Sequence, residues 1–329
     1  MRAVVVREFG CLENAVVASV PDPSPGPDEV LVENHATAVN FVDTLMVAGT
    51  YQSLPPLPFI PGKLPVGVVK DVGRAVADRK PGDRVMVLVE HGGFAGLVVA
   101  KPARCIPVPS QASFTDAASM SSVFDTAWFA LHERARVQPA DAVLVLGATG
   151  GVGLAALQLA KAHGAKALAG ITNPDKADLA TAAGADAIID LGRPGLLDNL
   201  REQVHAVTDG HGADVVLDML GGDIFDAGIR SLAWRGRLVV IGFAAGRIAT
   251  LKTNYLLLKN IAVSGMQISN YRRWAPYETA SCWSELFELY KSGRIKPSPT
   301  TAWPIERATQ ALVALRDRTA RGRIVLTPN

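Results

Sequence analysis

Val143-Leu144-Val145-Leu146-Gly147-Ala148-Thr149-Gly150-Gly151-Val152-Gly153-Leu154 is the stretch that decides the fold of this 329-residue chain. An apolar strand-like run breaks into a glycine-rich turn, and the turn opens directly onto a helical pattern from Leu154 to His163. Such a βα turn turns free backbone N–H groups and the positive end of a helix dipole toward a phosphate. Gly150 and Gly151 leave room for a pyrophosphate beside the backbone, and Gly153 lets the helix pack closely on its strand. Candidate phosphate-binding positions are therefore Ala148, Thr149, Gly150, Gly151 and Val152.

Outward from the turn, buried strand patterns recur at Lys166–Thr172, Ala187–Asp190, Ala213–Asp218 and Gly236–Gly242, with helical stretches between them at Asp175–Ala183 and Gly195–Thr208. Alternating buried strands and helices predict an α/β fold, a doubly wound parallel sheet of the Rossmann type. The first 110 or so residues differ in texture. Short β-like runs such as Ala3–Val6, Glu29–Asn34 and Val66–Val72 are punctuated by Pro and Gly, which predicts a small β-barrel-type domain. Ser113–Arg136 reads as continuously helical, Tyr277–Ser292 and Ile305–Arg318 as amphipathic helices, and Gly322–Pro328 as a strand. The expected organisation is a β-barrel-type domain over 1–120, a dinucleotide-binding domain over 121–266, and a segment over 267–329 that rejoins the first domain.

A hydrophobic content of 49% with 19% charged residues describes a compact globular protein, and a net charge of +2 gives no support to nucleic-acid or membrane-surface binding. Cys11, Cys105 and Cys282 are widely spaced and odd in number, so no disulfide framework is implied. The opening residues are too soon charged for a signal peptide, and no apolar run is long enough to span a bilayer. A cytoplasmic protein is expected.

Several further motifs, in this order and spacing, carry a resemblance. They are Ala38–Asp43, Leu57–Gly62, Lys80–Val85, Val215–Gly222, Gly236–Phe243 and Gly322–Leu326, together with the glycine turn. The chain resembles the medium-chain dehydrogenase/reductase superfamily along essentially its whole length, and more closely the zinc-free quinone oxidoreductase branch. The resemblance implies a GroES-like catalytic domain beside the Rossmann domain. Ala148, in place of the first fingerprint glycine, is typical of that branch.

Zinc-dependent relatives place their ligands at positions that here are Asn40, Lys63-Leu64 and Ser122. An ammonium and an aliphatic side chain cannot complete a zinc site, no CxxC cluster exists, and no histidine pair has ligand spacing. No metal is expected. Leu64 is also a departure within the zinc-free branch, where an acid is common, and this puts the hydrogen bonding of the active-site floor in question.

Cofactor choice is read at the tip of the second strand. An NAD site usually ends that strand with an acid. Here it ends Gly170-Ile171-Thr172-Asn173-Pro174, and Lys176 follows within reach of a 2′-phosphate. Asp175 is the contrary residue, expected to face solvent where the helix dipole favours it. The resemblance implies that Lys176 binds the 2′-phosphate together with Arg318, and that Leu191 replaces a family tyrosine. NADPH is the expected cofactor.

The resemblance also assigns Asn40 to the pocket, Thr126 to the nicotinamide, the backbone of Gly242 and Phe243 to its ribose, and Met266 and Gln267 to its carboxamide. Tyr51, on the loop after Gly49, is a further substrate-side candidate, and the alternative role for Asn40 is to stabilise a turn. No residue qualifies as a general acid. The expected activity is metal-free hydride transfer from NADPH to a quinone or another α,β-unsaturated carbonyl. The alternatives are an enoyl-thioester (CoA) reductase, with Arg272-Arg273 as its phosphate track, and an NADPH-binding structural or RNA-associated protein with little turnover. Asn260–Met266 is an apolar candidate edge strand, so a homodimer is expected.

Overall fold

The computed structural model describes residues 1–328, so the last position of the 267–329 segment lies outside the described residues. The chain divides into two compact units. One comprises Met1–Ser122, Ser269–Lys291 and the residues from Pro297 onward; the other comprises Val123–Ile268 with Ser292–Lys296.

The second unit is built on a six-stranded, wholly parallel sheet. Numbered along the chain, its strands are Ala142–Leu146, Lys166–Ile171, Ala187–Asp190, Ala213–Asp218, Leu232–Val240 and Ala262–Gly265, and they lie side by side in the order 3-2-1-4-5-6. This is the doubly wound arrangement that the sequence predicts. The order reverses between the first and fourth strands, where such sheets bind ligands at their carboxyl ends. Every residue of the first strand is buried, and the helix Gly151–Ala162 buries Leu154, Leu157 and Leu159. A core of Leu144, Leu146, Leu168, Val216, Phe225 and Leu238 surrounds the switch point. The fifth strand begins at Leu232, four residues before the expected start, because its pairing with the fourth shifts register between Ala213 and Val215.

The first unit holds a hairpin of Arg2–Val6 with Ala15–Ser19 and a seven-stranded sheet. Val30–Ala38, nine residues long, is the hub of that sheet. It pairs antiparallel with Val66–Val72, Leu97–Ala100 and the C-terminal strand Arg323–Thr327.

The helical stretch expected over Ser113–Arg136 is broken. Helix Phe114–Met120 ends, Ser122 takes a left-handed conformation at φ 65°, and a new helix runs Phe124–Trp128 before widening into a π-type segment, Phe129–Arg134. No helix among the described residues is long and apolar enough to cross a membrane.

Candidate functional site

The glycine turn stands at the carboxyl end of the central strand. Gly147, at φ 90°, reverses the chain, and the N–H groups of Gly147 and Ala148 both donate to the Gly170 carbonyl at 3.0 Å, which ties the turn to the second strand. A side chain at Gly153 would meet the Gly147 carbonyl oxygen at 2.4 Å, so the helix can begin this close to the turn only with glycine there. Gly150 is the N-cap and has no side chain to satisfy the first-turn N–H groups. A Cβ at Gly150 would find the Gly147 oxygen at 3.4 Å and no other atom within 4 Å. The turn is thus an open cradle of backbone donors that fits a pyrophosphate.

Around this cradle the same sheet collects most of the expected cofactor residues. Thr172 and Asn173 are exposed at the tip of the second strand, and Lys176 is half-buried beyond them. Asn173 Oδ1 accepts from the Asp175 N–H at 2.9 Å and so caps the short turn leading to Lys176, while Asp175 itself is exposed. Gly242 and Phe243 follow the fifth strand, and the Met266 N–H donates to Val240 at 3.0 Å, bringing Met266 and Gln267 to the same edge. Thr126 is buried on the helix Phe124–Trp128.

Asp218, singled out in the sequence only as part of a motif, braces that edge. Its Oδ1 accepts from the N–H groups of Leu220 and Gly221 at 2.8 and 2.9 Å, while Oδ2 is buried with no hydrogen-bond partner. Burial raises its pKa, against the pull of those two N–H groups. The loop after the fifth strand hangs from the same segment, through Ile241 N–H to the Asp218 carbonyl and Ala244 N–H to the Met219 carbonyl. Asp218 therefore shapes the backbone of Gly242 and Phe243.

Asn40, Tyr51 and Arg318 belong to the other unit. Arg318 is exposed, in a left-handed conformation just after the helix Ala308–Arg316. Asn40 is buried at the N-cap of the helix Phe41–Val47. Its Oδ1 accepts from Arg323 at 2.9 Å, its Nδ2 donates to the Ala38 carbonyl at 3.1 Å, and its own N–H donates to Asp43 Oδ2 at 2.8 Å. Both ends of its carboxamide are thus engaged within the protein. Asp43 is wholly buried; burial pushes its pKa up to about 6 against the N–H groups of Asn40 and Gly62 and the charge of Lys63. Burial likewise lowers Arg323 to about 10.

A second buried charge cluster lies in this unit. Lys63 Nζ is 2.5 Å from Glu90 Oε2, and its ammonium sits 5.6 Å from the centre of the Tyr51 ring. Glu90 also accepts from Ser269 at 2.6 Å and pairs with Arg272 at 3.1 Å. Burial would raise the Glu90 carboxyl, but Arg272 and Lys63 outweigh it and hold the pKa at about 2. Leu64 is fully buried and apolar, and the acid paired with the neighbouring Lys63 is Glu90. Arg272 also donates to Ser122 at 3.3 Å. Lys63, Leu64, Ser122 and Asn40 are a donor set that does not suit zinc, and no group of three or more potential metal-binding side chains occurs among the described residues.

Two family models match the chain. Residues 26–110 match the alcohol dehydrogenase GroES-like domain, and residues 151–285 match the family described as zinc-binding dehydrogenase. Quinone oxidoreductase-like protein 2 of Rattus norvegicus is 35% identical over 328 residues, spanning 99% of this chain and 92% of the relative. The structure of Escherichia coli quinone oxidoreductase complexed with NADPH is similar with a TM-score of 0.91 at 28% identity, with 100% of both chains covered. A structure described as an NAD-dependent alcohol dehydrogenase is similar with a TM-score of 0.89 at 31% identity, again over 100% of both chains.

Proposed function

Because this chain is an oxidoreductase belonging to the quinone oxidoreductase branch of the medium-chain dehydrogenase/reductase superfamily, we propose that it is an NADPH-dependent reductase of quinones or other α,β-unsaturated carbonyls. The observation that carries the cofactor choice is the tip of the second strand, where Thr172 and Asn173 stand in place of an acid and Lys176 follows. When bound, the dinucleotide supplies the hydride. The first-turn N–H groups of Gly151 and Val152 bind its pyrophosphate, Lys176 favours a 2′-phosphate, and Asp218 holds the Gly242–Phe243 backbone ready for the nicotinamide ribose.

On the substrate side, Asn40 and Tyr51 are the proposed lining residues. Asn40 is fixed by Arg323 and Ala38, so it offers a rigid wall. Tyr51 is held in place by the Lys63 ammonium, 5.6 Å from its ring centre, which is itself paired with Glu90. The reaction proposed uses no metal. We also propose a homodimer, formed by edge pairing of Ala262–Gly265 beside the exposed Leu257 and Leu258.

The test is a panel of 1,2- and 1,4-quinones, short enones and crotonyl-CoA, with NADPH and NADH oxidation followed in parallel. Turnover of quinones or enones with NADPH preferred supports the reading, and Lys176→Ala should narrow that preference. Tight NADPH binding with no turnover on any of them would sink it, and crotonyl-CoA as the best substrate would replace it with a thioester reductase.

A further inference from the structure

The third strand of the parallel sheet pairs with the second in a register that sets Asp190 opposite Ile171. The segment leaving Asp190 therefore runs beside the segment leaving Ile171, which carries Thr172, Asn173 and Lys176. It is fastened there. The Leu191 N–H donates to the Ile171 carbonyl at 2.8 Å, and the Gly192 N–H donates to Asp190 Oδ1 at 2.8 Å. Gln203 clamps the start of the loop, accepting from the Asp190 N–H at 2.8 Å and donating to the Asp190 carbonyl at 2.9 Å. The approach is close enough that a Cβ on Gly192 would lie 3.7 Å from the Thr172 carbonyl oxygen.

Arg193 is the next residue on this clamped loop. Its side chain is 56% exposed, and its Nε lies 3.5 Å from Asp190 Oδ2, an ion pair longer than a normal hydrogen bond. The guanidinium is tethered at the strand tip without being consumed by its partner. In a sheet of this order, the 2′ substituent that distinguishes the two nicotinamide dinucleotides lies against the tip of the second strand. At that tip Leu191 is buried and apolar, and a bare Asp190 would repel a second negative charge.

We propose that Arg193 reads the 2′-phosphate in this chain, beside Lys176, and so fills the place left by the tyrosine that Leu191 replaces. The planar fork of a guanidinium matches the oxygens of a phosphate. Arg193 both offsets the charge of Asp190 and donates to the ligand. The inference rests on the NADPH reading above and deepens it by naming a specificity-determining residue.

The test is calorimetric titration of the full chain with 2′,5′-adenosine bisphosphate and with 5′-AMP, two probes that differ only in the 2′-phosphate. The wild type should bind the bisphosphate more tightly. Arg193→Ala should weaken the bisphosphate by about tenfold, the low end for an exposed charge-assisted contact, and leave 5′-AMP within about twofold. Arg193→Lys should fall between, and adding Asp190→Asn to Arg193→Ala should recover part of the loss by removing the repelling charge. If Arg193→Ala leaves the bisphosphate unchanged, or weakens both probes equally, Arg193 does not read the phosphate while the cofactor reading stands. If the wild type itself shows no preference for the bisphosphate, the NADPH reading falls and this inference falls with it.

Discussion

Replacing Glu90 by Gln should be among the most damaging changes to the first unit, although Glu90 is the most accessible member of its charge cluster. The carboxylate is 36% exposed, but the side chains it holds, Lys63 and Arg272, are only 4% and 1% exposed. Removing one partner of a buried ion pair typically costs about 3–5 kcal/mol, because the remaining charge is left without compensation. Water reaching the Glu90 side lowers that figure, so about 3 kcal/mol is expected. Lys63→Met should be far milder, about 1 kcal/mol, since it removes a buried cation and fills its volume while Glu90 keeps Arg272 and Ser269. The two changes must then couple. Once Lys63 is gone, losing Glu90 strands one cation rather than two, so the double variant should be about 1–2 kcal/mol better than the sum of the singles. Urea unfolding of the full chain reads this directly, with Glu90→Gln moving the midpoint down by about 1 M for a slope near 3 kcal/mol/M. Strict additivity, or a neutral Glu90→Gln, would refute the idea that Glu90 compensates both cations.

Asp43 titrates at about 6 in the folded protein against an ordinary 3.8. Because the folded value is the higher one, its contribution falls as pH rises from about 4 to about 6, by about 3 kcal/mol in all. Glu90, with its folded value depressed to about 2, acts in the opposite sense and loses stability as pH falls below about 4.5. The Asp43 part is therefore read as the difference in urea midpoints between the wild type and Asp43→Asn at pH 4.5 and 6.5, and an unchanged difference would refute it. Gly153→Ala would force a methyl to within 2.4 Å of the Gly147 oxygen. It should open the turn and weaken dinucleotide binding by at least about tenfold, or about 1.4 kcal/mol, and unaltered binding by calorimetry would mean the turn is not the pyrophosphate cradle.

Much of the second unit is legible in the sequence alone. The run Val143–Leu146, the turn after it and the recurring buried strands are local signals: apolar periodicity and backbone freedom at Gly147 act over a few residues. The tip of the second strand was readable for the same reason, since strand and tip are contiguous. Reading failed first where a break has no local signature. Ser121–Val123 interrupts a stretch whose apolar spacing is helical throughout, and Ser122 enters the left-handed region with no glycine to mark it. At Asn40, the three-residue spacing to Asp43 is a capping signal in the sequence, but nothing local indicates that Arg323 occupies its carboxamide oxygen.

The sequence by itself determined the class of sheet, the location of its switch point and the absence of an acid where an NAD site would carry one, because these depend on neighbours a few residues apart. Only the tertiary structure decided which charges meet. Glu90 reaches Lys63 across 27 positions and Arg272 across 182, and Gly192, the residue before Arg193, comes close to Thr172 through strand register and the Leu191–Ile171 hydrogen bond. Burial and distance set the strength of such pairings, and both come into being only when the chain has folded.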